Sequence, residues 1–411
     1  MKFAKRDVLV LGGAIASIGY FFSIATASIG LYIFLFSWLL NGKGLSFKSF
    51  FRKRSINLMI GFLGVLLIGV VYSLNLYQAQ KDVVRHLPFI LMPLVFLTIT
   101  NFQKREKVII KRTFIIALLV FFLLCLVNAI FRQIGFSGRG GIFNWYYFYR
   151  YDFLEIFRQH PTYISIYSLL SLGFLLHEGR ELFKRKPVLY SLIGIQTLAI
   201  IVYGSRIGYV IFFILTFIYL LKNIKKTPGK IRLRAISIYL GIMVLLCGIA
   251  WTIPIVKERI LYTLGYEYNY EFNDGTNIKE SSPAEQGRLL LWEDAIDLIR
   301  EKPIFGYGTG SNRKVLLEKY EKEGHTLFLE KRFNVHNTYL ELLLQGGIPL
   351  LIVFLGMLMA LFYKSFRQRD YGILSFAIIM SLTSITETIF LAQGIAFFAF
   401  FYCFFLTQYD E

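Results

Sequence analysis

Charge is scarce in this chain, and acids are the scarcer sign. Only 17% of its 411 residues are Asp, Glu, Lys or Arg, whereas 56% are apolar and the mean hydropathy is +0.56. Soluble domains carry about 25% charged residues, so there is too little charge here to clothe a water-facing surface. The 26 acids stand against 45 bases, a formal +19. In a soluble protein such an excess points to nucleic acid; in a membrane protein it reports orientation. Cysteine is almost absent. Cys125, Cys247 and Cys403 all lie inside apolar runs without metal-ligand spacing or a disulfide partner. They read as small buried hydrophobes and say nothing about redox compartment. Histidine is also rare, and the three on the outer face (His160, His325 and His336) have no paired-ligand spacing. No metal and no cofactor is therefore expected. Neither a repeat period nor a low-complexity tract is present.

Long apolar runs, by contrast, abound. A bilayer core of about 30 Å needs roughly 17–25 apolar helical residues. Twelve runs approach that length: 8–22, 24–40, 56–76, 84–100, 113–131, 160–177, 188–204, 207–221, 235–256, 338–363, 372–388 and 393–407. The first two are nearly continuous, and only Ser23, Thr26 and Gly30 hint at a hairpin. The start resembles a secretory signal, with Lys2, Lys5 and Arg6 before an apolar stretch and Ala25-Thr26-Ala27. The reading adopted is a retained first span; cleavage would leave the later topology unchanged. With the N-terminus in the cytoplasm, the cytoplasmic segments hold 26 Lys and Arg against 7 Asp and Glu, and every inner connecting loop is net basic. The whole +19 is then an orientation signal, with none left for nucleic acid. The expected architecture is an all-α polytopic membrane protein of about 12 transmembrane helices. Residues 1–256 form spans 1–9 with an outer segment at 132–159, 257–337 form a large periplasmic loop, and 338–411 form spans 10–12.

The outer segments carry the chemistry. A loop as long as 257–337 is too large for a connector. Within it an amphipathic helix is expected at 285–301, with Arg288, Trp292, Ala295 and Ile299 on one face. Packing explains the apolar members, but a cation near a helix start opposes the macrodipole, so Arg288 calls for an anionic partner. The run from Pro303 to Ser311 holds three alternating glycines but lacks the βαβ context of a nucleotide loop. It reads as a tight turn, with amides facing a phosphate as the alternative. Further on, Thr338 and Glu341 suit a capping box. His336 stands just before that helix, whose positive end favours the neutral ring that a general base for a sugar hydroxyl requires. Spans seven and eight are joined only by Gly204-Ser205-Arg206, which puts an arginine at the membrane rim, where function is the default reading. The aromatic residues of 132–159, beside Arg139, Arg150 and Arg158, read as an interfacial belt, with sugar stacking by one or two rings as the alternative. His160 faces outward after them. Glu387 lies near an outer end, and the spans hold almost no other ionisable group mid-membrane, which weighs against a transporter or flippase. The absence of similar halves weighs the same way.

Taken in order, Gly204-Ser205-Arg206, Gly287-Arg288 with Trp292, Pro303-Ile304-Phe305-Gly306-Tyr307-Gly308, and His336-Asn337-Thr338-Tyr339-Leu340-Glu341 followed by Gly346-Gly347 resemble the O-antigen ligase and polymerase family of bacterial membrane glycosyltransferases. The resemblance is densest over about 200–365. It implies a class C glycosyltransferase-like fold and a metal-independent, inverting transfer of glycan from undecaprenyl diphosphate. The acceptor is lipid A–core for a ligase, or a second lipid-linked glycan for a polymerase. It also implies that His336 activates the acceptor hydroxyl and that Arg206 and Arg288 hold the diphosphate, with Ser205, Asn337 and His160 beside the substrate. The setting implied is the bacterial inner membrane, with both termini cytoplasmic and a periplasmic active site. One departure is local: Gly346-Gly347-Ile348-Pro349-Leu350 stands where the family usually has Gly-Gly-Ile-Pro-Gly.

Overall fold

A computed structural model describes residues 5–40, 54–98, 103–138, 143–225, 227–252, 270–271, 277–278, 284–390 and 392–407. Helices dominate them. The first half holds α1 (Lys5–Phe22), α2 (Ile24–Leu40), α3 (Arg54–Val71), α4 (Leu76–Arg85), α5 (Pro88–Thr98) and α6 (Lys104–Ser137), then α7 (Pro161–Leu182), α8 (Lys186–Tyr203), α9 (Arg206–Ile224) and α10 (Gly229–Thr252). The second half holds α11 (Ala284–Glu301), α12 (Asn312–Lys322), α13 (Thr326–Lys331), α14 (Thr338–Gln368), α15 (Tyr371–Thr386) and α16 (Ala392–Leu406). The strands described are two residues each, Tyr270–Glu271 antiparallel to Asn277–Ile278, with Tyr270 opposite Ile278.

Among the described residues four helices, α6, α8, α9 and α14, are long and apolar enough to cross a membrane by length and composition, and four shorter apolar helices accompany them. Large apolar side chains face outward along them, including Tyr32, Ile68, Phe131 and Met359. An exposed apolar surface of this extent suits lipid rather than water. Inside, an aromatic core is built from Tyr20, Phe114, Tyr167, Phe376, Phe397 and Phe401 of α1, α6, α7, α15 and α16, most of whose contacts with one another are edge-on or tilted. Cys125 and Cys403 are buried there as free thiols. The side chain of Cys247, Arg139, and residues 253–269 of the long loop lie outside the described residues.

Several boundaries differ from the sequence reading. The run 84–100 is not one helix. The chain breaks at His86–Leu87 because Pro88 cannot continue a helical hydrogen-bond ladder and instead opens α5. With 11 residues, α5 spans only about 16 Å. The outer segment expected from 132 begins later, since α6 runs on to Ser137. The expected spans 160–177 and 372–388 are trimmed so that His160 and Glu387 fall just outside α7 and α15. The Thr338–Glu341 capping box does not form. Asn337 caps α14 instead, its Oδ1 accepting from Leu340 N at 3.1 Å, and the Glu341 carboxylate accepts from Asn312.

The two ends of the helix bundle are chemically distinct. At one end Arg6 pairs with Glu106, Lys104 with Glu181 at 2.9 Å, and the buried Lys111 with Glu178 at 2.7 Å. Those pairs tie the start of α6 to the start of α1 and the end of α7. The opposite end carries an outer layer, α11 to α13, with a core of its own around Leu291, Ala295, Leu298, Leu316 and Tyr320. The stripe expected on α11 is present, with Ala295 at its buried centre.

What seats this layer is the glycine run. Tyr307 N donates to Leu344 O at 2.7 Å, and Thr309 N donates to Gly69 O at 3.1 Å, one of the carbonyls left unpaired at the end of α3. Ser73 Oγ donates to Thr309 O at 2.7 Å, and Leu74 N donates to Ser311 Oγ at 2.8 Å. The amides of Gly306, Tyr307, Thr309 and Ser311 all have carbonyl partners, which removes them from the phosphate-cradle alternative. Gly310 has φ +77°, and a Cβ there would lie 2.4 Å from Ala79 N. Gly347, at φ +62°, kinks α14 so that Ile348 N reaches Ile304 O at 3.1 Å. Alanine at a left-handed position destabilises by more than about 1 kcal/mol before any clash is counted. Gly310→Ala is therefore expected to lower the melting temperature of the detergent-solubilised protein, followed by tryptophan fluorescence. An unchanged melting temperature would contradict this account of the seat.

Candidate active site

Glu387 is the centre of the outer end. It is the C-cap of α15 in extended conformation and is 6% exposed. Arg288 Nη2 donates to its Oε1 at 3.2 Å, and His336 Nδ1 lies 3.3 Å from its Oε2. Thr162 Oγ1 donates to Oε1 at 3.4 Å. The Glu387 backbone carbonyl accepts from Thr338 Oγ1 at 2.7 Å, and the same hydroxyl accepts from Ile389 N at 2.9 Å. Burial alone would raise this carboxyl. The hydrogen bond from His336 and the nearby charges of His160 and Arg288 outweigh it and hold Glu387 below the usual carboxylate range. Burial holds His160 below the ordinary histidine value, with His336, Arg150 and Arg288 adding to it and Glu387 opposing.

His336 is placed by its own loop. Its φ of +49° is left-handed, which is uncommon for a residue with a side chain. The conformation is held by an Asn turn in which His336 N donates to Asn334 Oδ1 at 3.1 Å. The preceding Val335 is fully buried, and its carbonyl accepts from Trp292 Nε1 at 3.0 Å. Trp292 thus ties α11 to the histidine loop while Arg288, one turn earlier, reaches Glu387. Strain of this kind concentrates where function fixes a side chain. His325, by contrast, is spent on Asp294 at 2.9 Å within the outer layer.

Three residues expected beside the substrate turn out to be helix N-caps. His160 Nδ1 accepts from Thr162 N at 3.3 Å and opens α7, with Pro161 in its first turn. Ser205 Oγ accepts from Gly208 N at 3.3 Å and opens α9, of which Arg206 is the first residue. Asn337 opens α14. All three helices pack against α15 and begin at the end where Glu387 stands. Their positive dipole ends make that region favourable for anions.

His336, Arg288 and His160 are thus gathered around one carboxylate. Ser205 and Arg206 stand beyond Arg150 and Tyr151. Gly204, at φ +62°, lies so close to Arg150 that a Cβ would sit 2.6 Å from its Cγ. The Arg150 guanidinium lies 5.2 Å from the Tyr151 ring, whose edge-on contact with His160 is 5.5 Å. Glu387, Thr162, Arg150 and Tyr151 were not assigned roles from sequence. The signal for Glu387 was there: an acid closing an apolar run, and a cation on α11 in want of an anion. No group of three His, Cys, Asp or Glu among the described residues is arranged to hold a metal ion.

Residues 190–355 match the family model described as O-antigen ligase. Over this stretch the chain is similar to the O-antigen ligase family. It contains Arg206, Arg288 and His336, whereas His160 and Glu387 lie outside it. The match supports an enzyme of the ligase or polymerase type, and with the apolar helices it supports a membrane setting and a lipid-linked glycan substrate. A search of curated proteins finds no match to the chain.

A carboxyl held below its ordinary value adds stability above that value and loses the contribution as pH falls through the lowered one. Wild type is therefore expected to melt higher than Glu387→Gln at about pH 6, and to lose that advantage below about pH 4. A gap that stays constant across this range would mean that the clasp does not depend on an ionised Glu387.

Proposed function

We propose that the protein transfers O-antigen polysaccharide from undecaprenyl diphosphate to lipid A–core, in an inverting reaction without metal, on the periplasmic side of the inner membrane. The observation that carries this reading is the Arg288–Glu387–His336 arrangement at the outer end of the bundle. With Glu387 accepting the Nδ1 proton of His336, the imidazole keeps its Nε2 lone pair for the incoming hydroxyl, in the manner of an acid-oriented histidine base. The acceptor hydroxyl gives its proton to Nε2 as its oxygen bonds to the anomeric carbon from the face opposite the diphosphate. The bond from that carbon to the phosphate oxygen breaks, and the diphosphate leaves with the electron pair. Growing negative charge calls for fixed cations. Arg288 has donors left over from its contact with Glu387, Arg206 stands at the start of α9, and three helix N-termini face the same end. The orientation rests on the basic inner segments, which hold 26 of the 45 Lys and Arg.

General-base catalysis contributes about 10²- to 10⁴-fold, so His336→Ala is expected to lower transfer in a purified assay by at least about 100-fold. Arg288→Ala and Arg206→Ala should fall comparably, and a chelator should not abolish activity. Full activity in all three variants would remove this site. In a chromosomal deletion, lipopolysaccharide gels should show bare core with lipid-linked polymer accumulating. Core capped by a single repeat would instead identify a polymerase using the same donor chemistry, and unchanged banding would exclude both.

A further inference from the structure

A second polar space adjoins the Glu387 cluster and shares none of its charged side chains. It is a cavity of about 170 Å³ whose lining includes Asp82, Arg85, Asn312, Glu341, Gln345 and Thr388. Asp82 Oδ1 accepts from Gln78 at 2.8 Å and from Arg85 at 3.0 Å, and its Oδ2 accepts from Gln345 at 3.4 Å. Glu341 Oε1 accepts from Asn312. Two polar atoms on the wall are shut off from solvent and have no hydrogen-bond partner among the described residues: Glu341 Oε2 and Thr388 Oγ1. Thr388 itself is 4% exposed. Buried polar atoms without partners are rare in native proteins and ask for an explanation.

The lining chemistry narrows the ligand. Asp82 and Glu341 stand there among Arg85, Arg313 and Arg332, a set of mixed sign rather than the cationic one a diphosphate draws on. Carboxylate and hydroxyl acceptors face guanidinium and amide donors, and each hydroxyl of a sugar is both donor and acceptor. The volume suits a single sugar ring. The position narrows the role. Asn334 and Thr338, two residues before and two after His336, both line the cavity, and Thr388 follows Glu387 directly. A ring seated there would meet residues that flank His336 and Glu387 in the chain.

We propose that this cavity seats the terminal sugar of the acceptor glycan, with Glu341 and Thr388 bonding its hydroxyls while Arg288 and Arg206 serve the donor. The role assigned rests on the transferase reading; the affinity for sugar does not. The test uses full-length protein in nanodiscs, with undecaprenyl-diphosphate-linked glycan as donor and rough lipid A–core as acceptor. Glu341→Gln and the near-isosteric Thr388→Val are each expected to raise the acceptor KM by about tenfold, leaving kcat and donor KM within about twofold. An unchanged acceptor KM in both, or a donor KM rising in step, overturns the proposal while leaving the His336 assignment intact. Saturation-transfer NMR with free core oligosaccharide gives a readout without turnover. Signal from wild type and His336→Ala that is lost in Glu341→Gln supports the cavity as a sugar site. If wild type transfers from no lipid-linked donor yet shows this pattern, the transferase reading fails and sugar binding in the cavity stands. If oligosaccharide gives no signal with wild type, the cavity proposal falls.

Discussion

A carboxylate at the C-terminal end of a helix stands where the macrodipole is negative. Glu387 occupies that position on α15, and it is buried as well. Neither condition is tolerable alone. What makes it stable is the arrival of Arg288 from the outer layer and His336 from the loop before α14, with the N-termini of α7 and α14 beside it. The arrangement constrains everything around it. The outer layer has to sit where Arg288 reaches, the histidine loop has to take a left-handed turn, and α7 has to start at His160. Each of these is met by a separate local device.

The same carboxylate gives the histidine a direction. An imidazole with one nitrogen on an acceptor offers the other as a base, and this polarity does not depend on which sugar comes in. The guanidinium across from it is shared between a structural partner and whatever anion reaches the site. A single buried acid therefore couples the orientation of His336 to that of Arg288.

Much of this was legible in the sequence. Apolar runs marked the helices because the bilayer period is coarse and needs only composition. Arg288 could be read as lacking an anion because helix dipoles act locally, over one turn. Its partner could not be named, since Glu387 is 99 residues away and only packing brings the two together. His160, Ser205 and Asn337, singled out as substrate contacts, also cap helices in the structure. Capping and binding draw on the same short polar residues, and one sequence does not separate them. The break at His86–Leu87 was missed because the averaged hydropathy of 84–100 stays high across it; Arg85, His86 and Pro88 were the marks. The cavity around Glu341 was invisible for a similar reason, as it joins α4, α12 and α14.

The seat of the outer layer is made largely from the main chain. Tyr307 N, Thr309 N and Ile348 N meet carbonyls of Leu344, Gly69 and Ile304, with glycines clearing the way. Main-chain contacts hold regardless of which side chains the layer displays to solvent. Side chains on the outward surfaces of α12 and α13 can therefore change without unseating the layer, while Arg288 stays in register with Glu387.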